Sequence, residues 1–334
     1  MSAAKVAAAG ALALAAVALL GPRARVEDRV RPVTLPADLD AYLSAEEARV
    51  PGVRPGDAKT IIWLDSMTRA RTPVAVVYLH GFSADRHEID PVPRRVARAL
   101  GGNLYYTRLA GHGRDGAAMG DVSAGDWLQD VEEAMAIGRR LGERVVLMGT
   151  STGGTLAVWA AAQDRWKPDL AALVLLSPNF GPRDSRARML LWPWGKLLAR
   201  VVVGPERCFR ALNPEQQRHW TTCYPTRALL PMMALVDYVR RRDPRKVTTP
   251  VLVLYAPEDG VVDPGETRRV FEAMASDPKR MEVLKGSGDP EHHVLAGDIL
   301  SPGTTDEVTR AILDFVGPLV PRIAATPNPI DSIP

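Results

Sequence analysis

Residues 149–153 have the sequence Gly-Thr-Ser-Thr-Gly, which matches the G-x-S-x-G pattern of a nucleophile elbow. The apolar run at 144–148 before it predicts a buried strand, and the small apolar residues after it predict a helix. Glycines on both sides allow a turn so tight that the serine adopts a strained backbone conformation, with its hydroxyl above the sheet edge. This context predicts that Ser151 is a nucleophile.

A nucleophilic serine needs a histidine base, and the histidine needs an acid that fixes its tautomer and stabilises its charged form. With this kind of elbow the chain order is serine, acid, histidine, so both partners are expected after Ser151. Asp259 is the predicted acid because it follows an apolar, strand-like run and precedes a glycine. Asp263 competes, but the Asp-Pro-Gly-Glu sequence at 263–266 predicts a helix start, with Asp263 as N-cap and the glutamate reaching back. Glu258 is a lesser rival.

Two adjacent histidines, His292 and His293, follow the last predicted strand, and one of them is the expected base. The residues alone do not separate the two. A metal site built from this pair is disfavoured because adjacent residues rarely converge on one ion without further ligands, so we predict no metal. The other histidines precede the acid and are expected as turn, surface or cap residues: His80, His87, His112 and His219.

An acyl-transfer site also needs backbone donors for the oxyanion of the tetrahedral intermediate. One is expected from the residue after the nucleophile, Thr152, and the other from the loop after an early strand. Phe82 fills the second position because it closely follows the apolar run at 74–79. Gly81 permits close approach of the backbone, and His80 is expected to form structural hydrogen bonds rather than to catalyse.

Strand-like runs alternate with helical patterns along most of the chain. The predicted strands lie at 61–64, 74–79, 103–108, 144–148, 170–176, 251–255 and 281–284. The predicted helices lie at 39–48, 123–141, 156–162 and 305–315, with capping-box spacing at Ser123 and Asp126 and at Thr304 and Glu307. Continuously apolar strands are typical of parallel strands buried on both faces, so we predict a doubly wound, mostly parallel α/β sheet. This core is expected at 59–180 and 250–318.

The alternation stops at residues 181–249, which we predict to be a helical cap inserted between two core strands. Sheets of this type bind ligands at the carboxyl ends of their strands, where such a cap would cover the site. Trp192, Trp194 and Leu198 are the candidate substrate-binding residues, because they would supply apolar surface for an acyl chain. Ordinary packing inside the cap is the alternative interpretation.

Residues 1–21 contain Lys5 followed by an apolar run that ends at Gly21. The run is slightly longer than a signal-peptide core and shorter than a confident spanning helix, so both interpretations stay open. An Ala-Val-Ala match to the cleavage pattern falls inside the run, which favours a retained single-span membrane anchor. We therefore expect a membrane-anchored or exported protein of the cell envelope, with its orientation open. Residues 22–58 form a polar connector, and residues 319–334 form a carboxyl-terminal tail.

The composition excludes several classes of protein. Hydrophobic residues make up 46% and charged residues 24%, which is typical of a soluble globular body and not of a disordered chain. The net charge of +3 comes without a long basic block, so no nucleic-acid partner is predicted. Cys208 and Cys223 are too few for a four-cysteine metal site, and a bridge between them and two unpaired thiols both stay open.

The region from residue 73 to residue 316 resembles the α/β-hydrolase superfamily, and most closely the monoacylglycerol lipase and lysophospholipase-like esterases. The resemblance rests on Leu-His-Gly-Phe at 79–82, Leu-Ala-Gly-His-Gly at 109–113, the elbow at 149–153, Asp259 with Val-Val-Asp-Pro at 261–264, and His293 with Val294. In that family the base usually precedes a small aliphatic residue, which selects His293 over His292. The resemblance implies ester chemistry, a helical cap and no cofactor. Threonines flank Ser151 where the family often has histidine or methionine.

These observations predict a serine hydrolase that cleaves carboxylic esters through an acyl-enzyme, with Ser151, His293 and Asp259 as its triad. An apolar cap and a membrane tether favour a lipid ester, such as an acyl glycerol or a lysophospholipid-like ester, as the substrate. An acyltransferase with the same triad is one alternative. A membrane-tethered binding module without catalytic activity is the other, and the complete triad argues against it.

Overall fold

The computed structural model describes residues 20–321, and its centre is a seven-stranded sheet. The strand order is β1-β3-β2-β4-β5-β8-β9, and every neighbouring pair is parallel except β1 with β3. The strands of this sheet are β1 (Thr60–Ile62), β2 (Thr72–Leu79), β3 (Asn103–Tyr106), β4 (Gly142–Thr150), β5 (Leu170–Leu176), β8 (Val251–Tyr255) and β9 (Lys279–Val283). The predicted doubly wound, mostly parallel α/β sheet is confirmed.

Helices cover both faces of the sheet. The helices outside the cap are α1 (Leu39–Ala48), α2 (Val92–Ala99), α3 (Gly116–Gly120), α4 (Ala124–Leu141), α5 (Thr152–Ala161), α9 (Pro264–Ala273) and α10 (Thr305–Val316). Successive residues of β2 enter opposite apolar clusters: Val77 packs in the cluster with α4 and α5, and Val76 packs in the cluster with α2 and α10. This alternation explains why the strand is apolar at nearly every position, since both of its faces are buried.

The sequence predicts the start of α4 correctly, and it mispredicts that of α10. Ser123 and Asp126 form the expected capping box at α4. Thr304 is the N-cap of α10, but its backbone is helical (φ −105°, ψ −3°) and its side chain forms no capping bond; its hydroxyl donates to Leu295 O at 2.6 Å. The predicted capping box of Thr304 with Glu307 is therefore wrong, since a capping side chain needs an extended backbone at the N-cap.

The segment between β5 and β8 folds over the carboxyl edge of the sheet. It contains a 3₁₀-helical stretch at Ser185–Leu191, α6 (Gly195–Val202), β6 (Glu206–Cys208), α7 (Pro214–His219), β7 (Cys223–Pro225) and α8 (Leu229–Arg240). A disulfide joins Cys208 and Cys223 across the β6–β7 pair, which settles the two alternatives left open for these cysteines. A third apolar cluster, which we call the cap cluster, holds this segment together: Met119, Leu190, Ala199, Tyr224, Ala228, Leu229 and Met233.

The polar connector lies along the core. The backbone of Arg31 forms two hydrogen bonds with the Gln129 side chain, at 2.8 and 2.9 Å. Among residues 20–321, no helix combines the length and the hydropathy needed to cross a membrane. The apolar run predicted as an anchor lies almost entirely outside the described residues, as does most of the predicted tail, and Gly317–Leu319 forms a short 3₁₀ helix.

Candidate active site

Ser151 lies in the turn between β4 and α5, in a conformation that L-residues rarely adopt. Its φ is 52° and its ψ is −116°. A Cβ on Gly149 would lie 2.4 Å from Gly153 O, and a Cβ on Gly153 would lie 2.0 Å from Leu79 O, so only glycine fits at both positions. The turn is also bonded to the next strand, because Ser151 N donates to Leu176 O at 2.9 Å. The backbone therefore holds Ser151 at the carboxyl edge of the sheet.

His293 and Asp259 form a buried acid–base pair. His293 Nδ1 lies 2.8 Å from Asp259 Oδ2, and Asp259 is only 1% exposed. The other carboxylate oxygen, Oδ1, accepts hydrogen bonds from the backbone N–H groups of Val261 and Val262 at 2.8 and 2.9 Å. The loops that carry the two side chains are joined by a bond from Gly260 N to the backbone of the His293 loop. These backbone bonds hold the Asp259 carboxylate in place, and the carboxylate orients the imidazole of His293.

The electrostatics of this pair suit a proton acceptor. Burial alone would lower the pKa of the His293 imidazole, but the neighbouring Asp259 carboxylate, followed by Glu88 and Asp289, raises that pKa above its usual value. Asp289 also holds the loop, because its Oδ2 accepts from His293 N at 3.1 Å and from Val294 N at 2.8 Å. Sequence reasoning missed Asp289, although its position four residues before His293 is a signal for such a turn.

The rivals of these residues have other partners. His292 is in the left-handed region with φ at 52°, and its Nδ1 lies 3.4 Å from Ser287 Oγ. Glu258 is exposed. Asp263 caps α9 by accepting from Gly265 N at 2.8 Å, as predicted. The prediction that Glu266 bonds back to the cap residue is wrong, because its carboxylate forms ion pairs with arginines, including Arg269 at 2.8 Å.

The two predicted oxyanion donors lie at the ends of core elements. Thr152 is the first residue of α5, so its N–H is among those that the helix leaves without an intrahelical acceptor. Phe82 follows β2, and its ring packs edge-on against Tyr224 of β7 at 5.3 Å between centroids. The loop after β2 at residues 80–87, which we call the oxyanion loop, is thus in contact with the cap segment. Helix α5 also directs its positive end toward the elbow, which favours negative charge there.

Glu88 supports the loop that carries Phe82, and the sequence did not reveal it. Its Oε2 accepts from Gly81 N at 2.8 Å and from the Tyr78 hydroxyl at 2.9 Å. The same hydroxyl lies 3.0 Å from Thr150 Oγ1, beside the nucleophile. A Cβ on Gly81 would lie 2.5 Å from the Glu88 carboxylate, which explains the glycine. Burial raises the pKa of Glu88 to about 7.

His80 has the structural role expected of it. Its Nε2 accepts from Leu109 N at 3.0 Å, and its Nδ1 lies 2.9 Å from Gly81 O. Burial lowers the pKa of this imidazole to about 4, so it is neutral at physiological pH with its proton on Nδ1. The ring therefore ties the oxyanion loop to the loop after β3.

Apolar side chains and a few polar atoms pack between the elbow and the cap. Phe82 and Met232 pack against the cap cluster. Asn179 follows the end of β5, and its N–H donates to Ser151 O at 3.0 Å while its Nδ2 lies 3.5 Å from Met232 Sδ. Asn179 Oδ1 and Thr152 Oγ1 are buried, and neither has a hydrogen-bond partner within the part of the chain that the structure describes. Buried atoms of this kind are normally satisfied by water or a ligand.

The three candidate substrate-binding residues of the cap lie on or just before α6. Trp192 is 56% exposed and Trp194 is 39% exposed, while Leu198 is half-buried. The backbone N–H of Trp194 donates to Pro22 O at 2.9 Å. The structure therefore places this stretch beside the amino-terminal connector. The cap residues that pack against Phe82 are instead those of the cap cluster.

Two groups of side chains among residues 20–321 have ligand atoms close enough to hold a metal ion. One consists of Asp57, Asp85, His87 and His219, and the other of Glu206 with the two cysteines of the disulfide. Neither group includes Ser151, Asp259 or His293. The pair of His292 and His293, which the sequence already disfavoured as a metal site, is in neither group.

Comparisons with known proteins identify the family and the fold. The sequence pattern of the family described as serine aminopeptidase, S33, matches residues 71–294. A thermostable monoacylglycerol lipase from Bacillus sp. (strain H-257) is 28% identical over 232 residues, which cover 69% of this chain and 86% of the relative.

Solved structures of lipolytic enzymes have the same fold. A structure from the pair LipS and LipT, two metagenome-derived lipolytic enzymes, superposes with a TM-score of 0.63 and 21% sequence identity. The match covers 80% of this chain and 99% of the other. The monoacylglycerol lipase of Paleococcus ferrophilus has a TM-score of 0.58 and 17% identity, covering 78% and 98%.

Proposed function

The chain belongs to the family described as serine aminopeptidase, S33, which confirms the resemblance to α/β-hydrolases that its motifs predicted, and from that premise we propose that it cleaves carboxylic esters through Ser151, His293 and Asp259. The observation that carries the proposal is the buried 2.8 Å contact between His293 Nδ1 and Asp259 Oδ2, in a chain whose Ser151 lies in an elbow that only glycines permit. The lipases among its relatives support an ester as the substrate.

In the proposed reaction Ser151 Oγ attacks the ester carbonyl and passes its proton to His293 Nε2. Asp259 accepts the hydrogen bond from His293 Nδ1–H, which leaves Nε2 free to take the proton and stabilises the imidazolium. The N–H groups of Phe82 and Thr152 bind the oxyanion. His293 then protonates the leaving alcohol, the acyl group stays on Ser151, and a water molecule activated by His293 releases the carboxylic acid.

We propose a monoacylglycerol or a lysophospholipid-like ester as the substrate. An acyl chain would pack against the apolar side chains between the elbow and the cap, among them Phe82, Tyr224 and Met232. The buried oxygens of Asn179 and Thr152 lack partners within the described residues and are suited to hydrogen-bond the hydroxyls of the alcohol part. The Bacillus relative, a monoacylglycerol lipase, supports the same class of substrate.

We also propose that residues 1–21 hold the enzyme at a membrane of the cell envelope, where such esters are found. The apolar run supports this, and so do the exposed apolar side chains of α6 near Pro22, including Leu197 at 58% and Val201 at 75% exposure. Deletion of residues 1–21 is expected to move the protein from the membrane to the soluble fraction while leaving turnover of a short-chain ester unchanged. A full-length protein that is already soluble with its amino terminus intact would contradict the anchor.

The test of the activity is labelling with a fluorophosphonate followed by an ester series. Wild-type protein should be labelled at Ser151, and it should hydrolyse monoacylglycerols in preference to aminoacyl anilides of matched leaving-group reactivity. Labelling at another serine would overturn the assignment of the nucleophile. An added alcohol that takes the acyl group faster than water would favour the acyltransferase alternative, which the comparisons do not support.

A further inference from the structure

Four side chains from three distant parts of the chain meet beside the oxyanion loop; we call them the Asp/His cluster and define it as Asp57, Asp85, His87 and His219. His219 Nδ1 lies 2.9 Å from Asp57 Oδ1 and 3.2 Å from Asp85 Oδ2. His87 Nδ1 lies 2.9 Å from Asp85 Oδ1 and 3.7 Å from Asp57 Oδ1. One ligand atom from each residue lies within 4.8 Å of all the others.

These separations match those around a small tetrahedral ion. Bonds of about 2.0–2.1 Å in a tetrahedron place neighbouring ligand atoms about 3.3–3.4 Å apart. With one ligand atom taken from each residue, His219 Nδ1 lies 2.9 Å from Asp57 Oδ1 and 3.2 Å from Asp85 Oδ2, and His87 Nδ1 lies 3.7 Å from Asp57 Oδ1, so these contacts bracket that value. The imidazoles of His87 and His219 are stacked with their centroids 3.8 Å apart, and both present Nδ1 to the same two carboxylates.

The charges also call for a cation. Asp57 and Asp85 are each only 1% exposed, and two buried carboxylates that face the same point repel each other unless a positive charge, from a metal ion or from a protonated histidine, lies between them. Arg54 Nε donates to Asp57 Oδ2 at 2.7 Å, which is the oxygen turned away from His219. The guanidinium therefore sits behind the carboxylate, as a residue that orients a metal ligand does.

We propose that the Asp/His cluster binds one divalent transition-metal ion, with zinc preferred. Two imidazole nitrogens and two carboxylate oxygens are donors that zinc takes in tetrahedral sites, whereas calcium and magnesium prefer oxygen ligands in larger numbers. Two aspartates match the charge of a divalent ion. Because four protein ligands complete a tetrahedron, the site is structural rather than catalytic.

The Asp/His cluster lies where three parts of the fold meet. Asp57 belongs to the connector, Asp85 and His87 follow Phe82 in the oxyanion loop, and His219 ends α7 of the cap segment. A metal ion here would join these three parts at one point. The neighbouring bond from Thr221 N to Ser83 O, at 2.7 Å, already links the cap segment to the same loop. The proposal does not depend on the proposed function, because metal binding is measured without substrate.

The experiment measures metal content and metal-dependent stability on the full chain, purified without a polyhistidine tag. Zinc-supplemented wild-type protein should retain about one zinc per chain after dialysis. Removal of the metal with a chelator should lower its Tm by about 5 °C relative to protein with zinc at 100 times Kd. Cobalt added to the metal-free protein should give the intense visible absorption of a tetrahedral site. His219→Ala should bind zinc at least about 100-fold more weakly, since it loses a direct ligand.

Two matched controls assign the metal to this site. Glu215→Gln changes the carboxylate that lies 3.9 Å from the other ring nitrogen of His219, on the same helix, and should keep the zinc. The Cys208→Ser, Cys223→Ser double variant removes the other candidate group and should also keep it. If His219→Ala fails to fold, His87→Ala, whose side chain is already 24% exposed, takes its place.

Each remaining result overturns the proposal. Wild-type protein without retained zinc, whose Tm is unchanged by chelation, would mean that protonated histidines neutralise the aspartates and that the cluster is an ion-pair network. Zinc that survives in His219→Ala and His87→Ala but disappears in the double cysteine variant would place the metal at the cysteines. A cobalt spectrum without tetrahedral bands would exclude this ligand geometry.

Discussion

Two regions of the molecule pair buried aspartate with histidine. They differ in the number of side chains that meet and in the orientation of the imidazole rings. In the candidate triad one carboxylate, Asp259, faces one imidazole, His293, and the second nitrogen of that ring is turned away from the acid. In the Asp/His cluster two carboxylates face two stacked imidazoles, and both rings direct the same nitrogen, Nδ1, toward the acids. The same residue types are therefore arranged for two different proposed roles.

The difference follows from charge balance. One acid beside one base stabilises an imidazolium, so the proton can arrive from a nucleophile and leave again. Two acids beside two bases concentrate negative charge and lone pairs on one point, where a metal ion can be held. Catalysis requires Nε2 of His293 to be free to face Ser151. Metal binding would instead occupy one ligand atom of each residue in the Asp/His cluster. Variants in one region should therefore leave the property of the other unchanged.

The largest expected effect is that of Ser151→Ala. Because Ser151 is the proposed nucleophile, kcat for a short-chain ester should fall by about 10⁶-fold, while the circular dichroism spectrum, the Tm and the zinc content stay those of the wild type. Steady-state kinetics and metal analysis on the same preparation check both parts. A variant that retains substantial turnover would show that another residue is the nucleophile.

The next largest effect is expected for Asp259→Asn. An amide in place of the carboxylate favours the wrong tautomer of His293, so kcat should fall by about 10⁴-fold with little change in fold. Asp263→Asn is the matched control four residues later. It should cost less than about 1 kcal/mol in the free energy of unfolding, because asparagine caps a helix about as well as aspartate. The opposite pattern in the two variants would reassign the acid.

Local context contains the signals for the elbow and for the predicted acid. Gly149 is required by its contact with Gly153, and Asp259 follows an apolar strand, so short windows of sequence contain these signals. Gly153 is required by Leu79 O of a distant strand, but it belongs to the same five-residue pattern. The resemblance to a family was needed to choose His293 over His292. Their φ angles and hydrogen bonds are set by Asp289 and by the packing of the loop, which sequence spacing does not encode.

Side chains that act across the fold could not be predicted in this way. Glu88 meets Gly81 and Tyr78 because β2 and the following loop fold back on each other. The Asp/His cluster joins residues up to 162 positions apart, and each of its histidines looks like an ordinary turn or cap residue in the sequence. Thr304 shows the converse, because its local capping signal is correct in spacing, but the backbone there belongs to a preceding 3₁₀ turn and is not extended.

A smaller effect concerns the pH dependence of kcat/KM. The base must be neutral, so activity is lost as pH falls through the pKa of His293. Burial lowers that pKa, but Asp259, Glu88 and Asp289 raise it overall, so the midpoint of the acidic limb should lie above the ordinary value of about 6.5.

The residual activity of Asp259→Asn should show this midpoint shifted to lower pH, because the largest source of positive shift has been removed. The control is Asp243→Asn, which changes an exposed aspartate outside the site and should leave the profile unchanged. An acidic limb that Asp259→Asn does not move would mean that a group other than His293 controls it. Rates measured across the pH range with a substrate that does not titrate provide the test.

The smallest expected effect concerns chain length, where two sets of apolar residues in the cap segment can be compared. Met232 packs on the cap cluster beside Asn179, whereas Trp192 is largely exposed near the connector. Burial of one methylene is worth about 0.8 kcal/mol, which is about fourfold in kcat/KM. Met232→Ser should therefore lower kcat/KM for long-chain monoacylglycerols about tenfold more than for acetate esters. Trp192→Ser should leave the chain-length profile of soluble substrates unchanged, and a profile that changes only in Trp192→Ser would move the acyl site to the outer face of α6.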